Sequence, residues 1–283
     1  MVFLRVFNEL LGDYVEVPES PRRVVSLAED LTEILFMLGA GDVVVGVSSY
    51  CNRPSEASTR VRVGTYYKVS YSRLEMLKPD LILTTSAAQR QVNQELHSRG
   101  YPVFPVQLPT SVAGIVENVK RVGLLVNRYP AAVELEKKLL TALSSVISSA
   151  LRRDASVYVE IDLGSPITVG QASYVNDMLS LLGLRNIYLS RRESYFEPDA
   201  EYVRRQDPDL IIYDPKPGDM EGYGRFMKAL ASRGWDGLKA VREGRVIVTE
   251  GDVIAHYGPS LILDTMPSLL NQVKRLLQSS SYP

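Results

Sequence analysis

The chain carries one cysteine, Cys51, in 283 residues, so no intramolecular disulfide can form and the redox compartment cannot be read from thiol usage. Histidine is nearly as scarce, with only His97 and His256. A directly held zinc or manganese ion wants several imidazoles or carboxylates converging. Two histidines far apart in sequence therefore disfavour a bare metal site. No apolar run approaches the roughly eighteen residues of a membrane helix. The opening Met1-Val-Phe-Leu-Arg-Val-Phe-Asn is broken by Arg5, Asn8 and Glu9, short of the roughly seven to fifteen apolar residues of a signal peptide. The expectation is an extracytoplasmic protein whose signal is absent from this chain, or else a cytoplasmic one. An excess of one charge is also missing: 32 Lys and Arg face 33 Asp and Glu. The cations are scattered rather than striped, which argues against a nucleic-acid partner. The chain has no Gly-x-Ser-x-Gly elbow, no phosphate loop and no Gly-x-Gly-x-x-Gly after a strand. The glycines between Asp219 and Gly224 read as a turn. No catalytic residues are assigned, and a non-enzyme is expected.

What is present is an ordinary globular composition, 45% hydrophobic and 23% charged, in a chain long enough for two domains with cores of their own. Val15–Pro18 reads as an edge strand. Short apolar runs at Arg23–Leu27, Val43–Val47, Leu81–Thr84 and Val103–Val106 suit buried parallel strands. Between them, Asp30 to Glu33 has the form of a capping box opening a helix that Gly39 stops, and helices are predicted over 72–78 and 87–99. After a helix over 111–126, an amphipathic pattern runs from Pro130 to about Arg153, roughly 35 Å of helix at 1.5 Å per residue. It is either a long surface helix or a rigid connector between lobes. Strands at Val157–Ile161, Ile187–Leu189, Leu210–Tyr213 and Val246–Val248 then alternate with helices at Tyr174–Leu182, 199–207 and 259–277. Alternation of this kind implies parallel βαβ units. Lys78-Pro-Asp-Leu-Ile-Leu and Asp207-Pro-Asp-Leu-Ile-Ile suggest a distant repeat, and hence two similar lobes.

Candidate site residues come from the loops. His97 lies on a polar helix and reads as a solvated surface group. His256 sits in a strand-to-helix loop beside Tyr257, where α/β proteins carry their sites. Tyrosine is abundant, at 16 residues, and several cluster in predicted loops: Tyr50, Tyr66, Tyr67, Tyr195 with Phe196, and Tyr257. A ligand held by aromatic contact, with hydrogen bonds from Arg53, Lys68 or Arg192, fits this inventory.

Pro21-Arg-Arg-Val-Val-Ser-Leu27, Leu31-Thr-Glu-Ile-Leu35, Val45-Gly-Val-Ser-Ser-Tyr50 and Leu77-Lys-Pro-Asp-Leu-Ile-Leu83 together resemble the periplasmic binding proteins for iron-siderophores, haem and cobalamin. Gly46 to Pro54 is most similar to the cobalamin-binding members. The resemblance implies an α/β fold of two Rossmann-like lobes with parallel sheets, joined by a single long backbone helix. That gives an N-terminal lobe over 1–127, a connecting helix over 128–153 and a C-terminal lobe over 154–283. It implies a monomeric substrate-binding protein of an ABC importer, with a corrinoid or other metal chelate as cargo in the cleft between the lobes and no resident cofactor. It would meet the membrane only through the permease. Tyr50 matches a ligand-contacting tyrosine of the cobalamin-binding members. Tyr66 and Tyr195 fall where tryptophans stand. Permease docking by one glutamate per lobe maps onto Glu201 in the second lobe. The equivalent first-lobe position is Ser72, which shifts the expectation to Glu75. The alternatives are a haem or siderophore carrier, or a cytoplasmic corrinoid-handling protein of the same fold.

Overall fold

The computed structural model describes residues 2–152, 154–216, 219 and 221–278. The chain divides into two compact units, the first running to Pro109 and including Ala113–Leu140, the second comprising Thr110–Val112 and the residues from Thr141 onward.

The first unit opens with a hairpin of β1 (Phe3–Asn8) and β2 (Asp13–Pro18). The sequence pattern predicts β2 alone; β1 gives no signal because Phe3, Leu4, Arg5 and Phe7 are all exposed and show no clean alternation. Asn8 pins the hairpin by donating from Nδ2 to Pro105 O at 2.9 Å. Next come β3 (Val24–Ser26), α1 (Glu29–Met37), β4 (Val44–Val47), β5 (Val61–Arg62), α2 (Tyr71–Leu77), β6 (Leu81–Thr85), α3 (Arg90–Ser98), β7 (Val103–Val106) and α4 (Val112–Leu125). β3 and β6 are buried along their whole length, which is why they read as continuous apolar runs rather than alternations. The sheet is parallel throughout, in the order β5-β4-β3-β6-β7. The chain winds outward from β3 to one edge, then returns to β6 and winds to the other. The crevice beyond the C-terminal ends of β3 and β6 is the switch point at which such sheets bind ligands. The capping box does not form: Ala28 is the N-cap, and Asp30 and Glu33 are buried inside the helix.

Helix α5 (Tyr129–Ser148) carries the chain from the first unit into the second. It is shorter than the pattern suggested, about 30 Å at 1.5 Å per residue, and Arg153 lies outside the described residues. The second unit contains β8 (Ala155–Asp162), β9 (Pro166–Val169), α6 (Tyr174–Leu181), β10 (Leu184–Asn186), β11 (Tyr195–Phe196), α7 (Ala200–Gln206), β12 (Leu210–Asp214), α8 (Gly222–Ser232), α9 (Lys239–Arg242), β13 (Val246–Val248) and α10 (Met266–Gln278), with a π-helical turn at Leu261–Thr265 before α10. β10, β8, β12 and β13 run parallel, while β9 and β11 add an antiparallel flank. Three local elements differ from what the sequence pattern predicts. The strand predicted at Ile187–Leu189 is β10, three residues earlier; Ile187 and Tyr188 are apolar because they enter the core, not because they are extended. The glycines of the 219–224 stretch open α8 instead of making only a turn. Tyr195 and Phe196 form a short edge strand, not a loop.

The suspected repeat has a physical basis. α2 and α7 each end in a left-handed residue, Lys78 (φ 45°) and Asp207 (φ 42°), ahead of the proline. The following aspartate then reaches back to the start of its sheet's first strand. Asp80 accepts from the N–H groups of Arg22 and Arg23 at 2.8 and 2.9 Å. Asp209 accepts from the N–H and hydroxyl of Ser156, both at 2.9 Å, and from Lys239 Nζ at 2.5 Å.

Candidate functional site

In the first lobe the loops after β4 and β5 carry the candidate tyrosines. Tyr50 crests a turn over Ser48–Asn52 and is 46% exposed. Arg62, the last residue of β5, holds that turn at both ends: Nη1 donates to Ser48 O at 2.7 Å and to Cys51 O at 2.8 Å, and Nη2 to Asn52 Oδ1 at 3.1 Å. A guanidinium, with its donors in a rigid planar fork, can hold three acceptors at once in a fixed arrangement. Cys51 lies buried beneath, its sulfur 3.1 Å from Ser48 Oγ. Burial pushes the thiol up to about 11, with hydrogen bonding to Ser48 and Thr32 only partly opposing it.

After β5 the chain makes a tight reversal over 64–69. Ser49 grips its base, donating to Gly64 O from both N–H (2.8 Å) and Oγ (2.7 Å). Thr65 closes the tip: its N–H donates to Lys68 O, and its hydroxyl accepts from the N–H groups of Tyr67 and Lys68. Gly64 has φ +143°, and a Cβ there would stand 2.1 Å from Lys68 O, so the reversal requires glycine. At its tip the rings of Tyr66 and Tyr67 meet edge-on, 5.3 Å apart, with Tyr67 66% exposed. Gln89, wholly buried, joins this tip to the sheet: Nε2 donates to Tyr66 O (2.9 Å) and to Leu27 O at the end of β3 (3.0 Å), while Oε1 accepts from Thr85 N–H at the end of β6 (2.8 Å). Arg53 is partly buried after the Tyr50 turn, and Lys68 is exposed beside Tyr67.

In the second lobe the organising residue is Tyr174, the first residue of α6 and fully buried. Its hydroxyl contacts Ile254 O at 2.7 Å and Ala255 O at 2.9 Å, and its ring lies 5.8 Å from that of Tyr257. The hydroxyl of Tyr195 interacts with Ser173 and Tyr174. Tyr195 and Tyr257, 62 residues apart in sequence, thus meet the same side chain. Burial holds the Tyr174 phenol far above its ordinary range, so it remains a donor at every physiological pH. Asp214, at the C-terminal end of β12 and wholly buried, secures the same loop by accepting from the N–H groups of Val253 (3.2 Å), Ile254 (3.0 Å) and Ala255 (2.9 Å) and from the Thr249 hydroxyl. Burial raises its carboxyl pKa, and these hydrogen bonds oppose the rise. His256 sits buried on this loop. Phe196 turns instead to the core, its ring 5.0 Å from that of Tyr188 with the Arg191 guanidinium over it at 4.5 Å. Arg192 is exposed.

Glu75 and Glu201 are both exposed on short helices, and Ser72 occupies the position equivalent to Glu201. Glu201 pairs with Arg204 one turn on. His97 is partly exposed and bonds Asp13 on β2 at 3.3 Å. Sequence reasoning missed Arg62, Gln89, Tyr174 and Asp214. Only Asp214 left a signal, a carboxylate ending a run of buried strand residues.

Among the described residues no helix is long and apolar enough to cross a membrane. A family model described as "Periplasmic binding protein" matches residues 24–253. An uncharacterized ABC transporter substrate-binding lipoprotein of Bacillus subtilis is 26% identical over 270 residues, covering 92% of this chain and 83% of that protein. A vitamin B12-binding protein of Salmonella paratyphi A is 29% identical over 201 residues, 70% of this chain and 74% of that one. Among solved structures, the periplasmic heme-binding protein of Roseiflexus sp. RS-1 superposes with a TM-score of 0.80 at 20% identity, over 90% of this chain and 98% of that one.

Proposed function

This chain belongs to the periplasmic binding protein family, and from that premise we propose that it is the substrate-binding component of an ABC importer whose cargo is a cobalamin-like corrinoid or an iron chelate. It performs no chemistry on that cargo; the chelate is freight, not a cofactor. The observation that carries this reading is the placement of Tyr50, Tyr66 and Tyr67 beyond the C-terminal ends of β4 and β5, with Tyr50 and Tyr67 largely exposed on loops fastened from within. Exposed aromatic rings held by buried hydrogen bonds suit a large, flat, partly apolar ligand better than a small ion. Tyr195 and Tyr257 on the second lobe, with His256 and Arg53, complete the proposed contact set. Glu201 and Glu75 are the proposed permease contacts, where charge sets register and on-rate.

Within that class, haem or an anionic ferric siderophore rather than a corrinoid is favoured by Lys68 and Arg192, both exposed and near the aromatic groups in sequence. Titration of the protein with cyanocobalamin, haemin and a ferric hydroxamate, followed by tyrosine quenching and calorimetry, separates the two. Submicromolar binding of one, at one per chain, is expected. Joint replacement Tyr50→Ala and Tyr66→Ala should lower that affinity at least about tenfold, since each aromatic contact contributes roughly 0.5–1.5 kcal/mol beyond area burial. Binding unchanged in the double variant would sink the site assignment, and failure of all three ligands would sink the cargo class.

A further inference from the structure

We propose that Gln89 is a positioning residue for ligand binding, setting the height and angle of the Tyr66–Tyr67 tip without touching the ligand itself. The proposal rests on the reading of these tyrosines as ligand contacts. Three features carry it. Gln89 is wholly buried, so its amide cannot be a solvated surface group. Its three bonds go to three different segments: Leu27 O after β3, Thr85 N–H at the end of β6 and Tyr66 O at the tip. Two carbonyls and one N–H also fix which end of the amide is nitrogen, because only the NH₂ can donate twice. Gln89 thus ties the tip to both strands that border the switch point. Other bonds of the reversal, among them those of Thr65 with Tyr67 and Lys68 and of Ser49 with Gly64, shape the loop and anchor its base. The neighbouring Asn93 donates to Thr85 O at 2.9 Å, so the end of β6 is held on its carbonyl side whatever stands at position 89. A substitution there therefore acts first on the tip.

Two variants test this. Gln89→Met keeps the volume and removes all three bonds. Gln89→Glu keeps the acceptor for Thr85 and regains one donor only when protonated. The first readout needs no ligand: amide hydrogen exchange at Thr65, Tyr67 and Lys68 should quicken in Gln89→Met, while Ile82, bonded to Pro102 O, stays protected. The second is affinity for cyanocobalamin, haemin or the ferric hydroxamate, whichever the wild type takes. It should fall by a factor of about 3–10, the worth of one neutral hydrogen bond. In the background lacking both rings, Tyr66→Ala with Tyr67→Ala, the same substitution should change affinity by less than about twofold, because residues acting through one another are not additive. Gln89→Glu should recover affinity as the pH is lowered, relative to wild type at each pH. That variant keeps the test open if Gln89→Met does not fold. Unchanged exchange at the tip overturns the proposal, as does an affinity loss equally large without the two rings. If wild type binds none of the three probes, the cargo reading fails, while exchange still decides whether Gln89 sets the tip.

Discussion

Asp209→Asn is the perturbation whose size the structure fixes best. The Asp209 carboxylate is partly buried at the start of β12 and takes three hydrogen bonds, two from Ser156 and one from Lys239. Burial alone would raise its pKa. The bonds from Lys239 and Ser156 outweigh burial and bring it down to about 2 from 3.8. A depressed folded-state pKa contributes stability that is present above the unfolded value and lost as pH falls through the folded one. Nearly two pH units would be about 2.5 kcal/mol at 1.36 kcal/mol per unit. Because Lys239 is itself about a third exposed, with 36% side-chain accessibility, screening reduces this to about 1–2 kcal/mol. The assay exploits the one tryptophan: Trp235 is wholly buried in the second lobe's core, its Nε1 donating to Ala200 O at 3.2 Å. Its fluorescence during urea unfolding reports that lobe alone, which matters when a two-unit chain need not unfold in one step. The Asp209→Asn substitution should cost about 1–2 kcal/mol at pH 7, and the difference should shrink as pH drops from about 4 toward 2. A difference that persists undiminished at pH 2, or none at pH 7, would refute the argument that the ionised form is what the fold selects.

Two further outcomes follow from local geometry. Gly64→Ala places a Cβ against Lys68 O and demands an unfavourable φ, costing on the order of 1–3 kcal/mol; it should weaken ligand binding by at least about tenfold while the far-ultraviolet circular dichroism of the chain stays as in wild type, and full affinity would show that the reversal tolerates opening. Cys51, buried with its thiol raised to about 11, should resist a water-soluble disulfide reagent at pH 8 for hours and react within minutes in denaturant; rapid reaction of the native protein would mean that the Tyr50 turn opens readily.

The alternation of short apolar runs with amphipathic helices was enough to recover four of the five strands of the first lobe's parallel sheet, because its central strands are buried on both faces and apolarity there has no competing cause; β5, two residues long and ending in Arg62, gives no such signal. Where apolarity did have another cause, the reading slipped. Ile187 and Tyr188 look like a strand yet are core residues of a turn, and the three-residue strand before them carries Arg185 and Asn186, which give no strand signal. The antiparallel flank was hidden for the same reason: Pro166 opens β9, and β11 is two residues long. At the site, loop tyrosines could be named from sequence, but not what secures them. Arg62, Gln89 and Tyr174 act through backbone carbonyls, and a carbonyl acceptor leaves no mark in the identity of the residue that bears it. Phe196 shows the converse error, since an aromatic side chain in a connecting segment can as well complete a core.

The two lobes share a device at one end of the sheet and diverge at the other, and this explains why the repeat is visible only in part. At the N-terminal strand ends the task is identical in both: end a seven-residue helix, turn, and cap the first strand's N–H groups. A left-handed residue, a proline and an aspartate accomplish it in that order, so Lys78-Pro-Asp and Asp207-Pro-Asp survive as a legible pair. At the C-terminal strand ends each lobe must hold a different loop. The first uses a guanidinium and an amide to gather carbonyls beneath Tyr50 and Tyr66. The second uses a carboxylate to gather N–H groups and a phenol to reach carbonyls beneath His256 and Tyr257. Donor-rich side chains in one lobe and an acceptor-rich one in the other cannot be exchanged without leaving buried backbone groups unpaired, at about 1–3 kcal/mol each. The half of each lobe that makes it fold is therefore constrained toward sameness. The half proposed to hold cargo is free to differ, and it is there that ligand choice would be written.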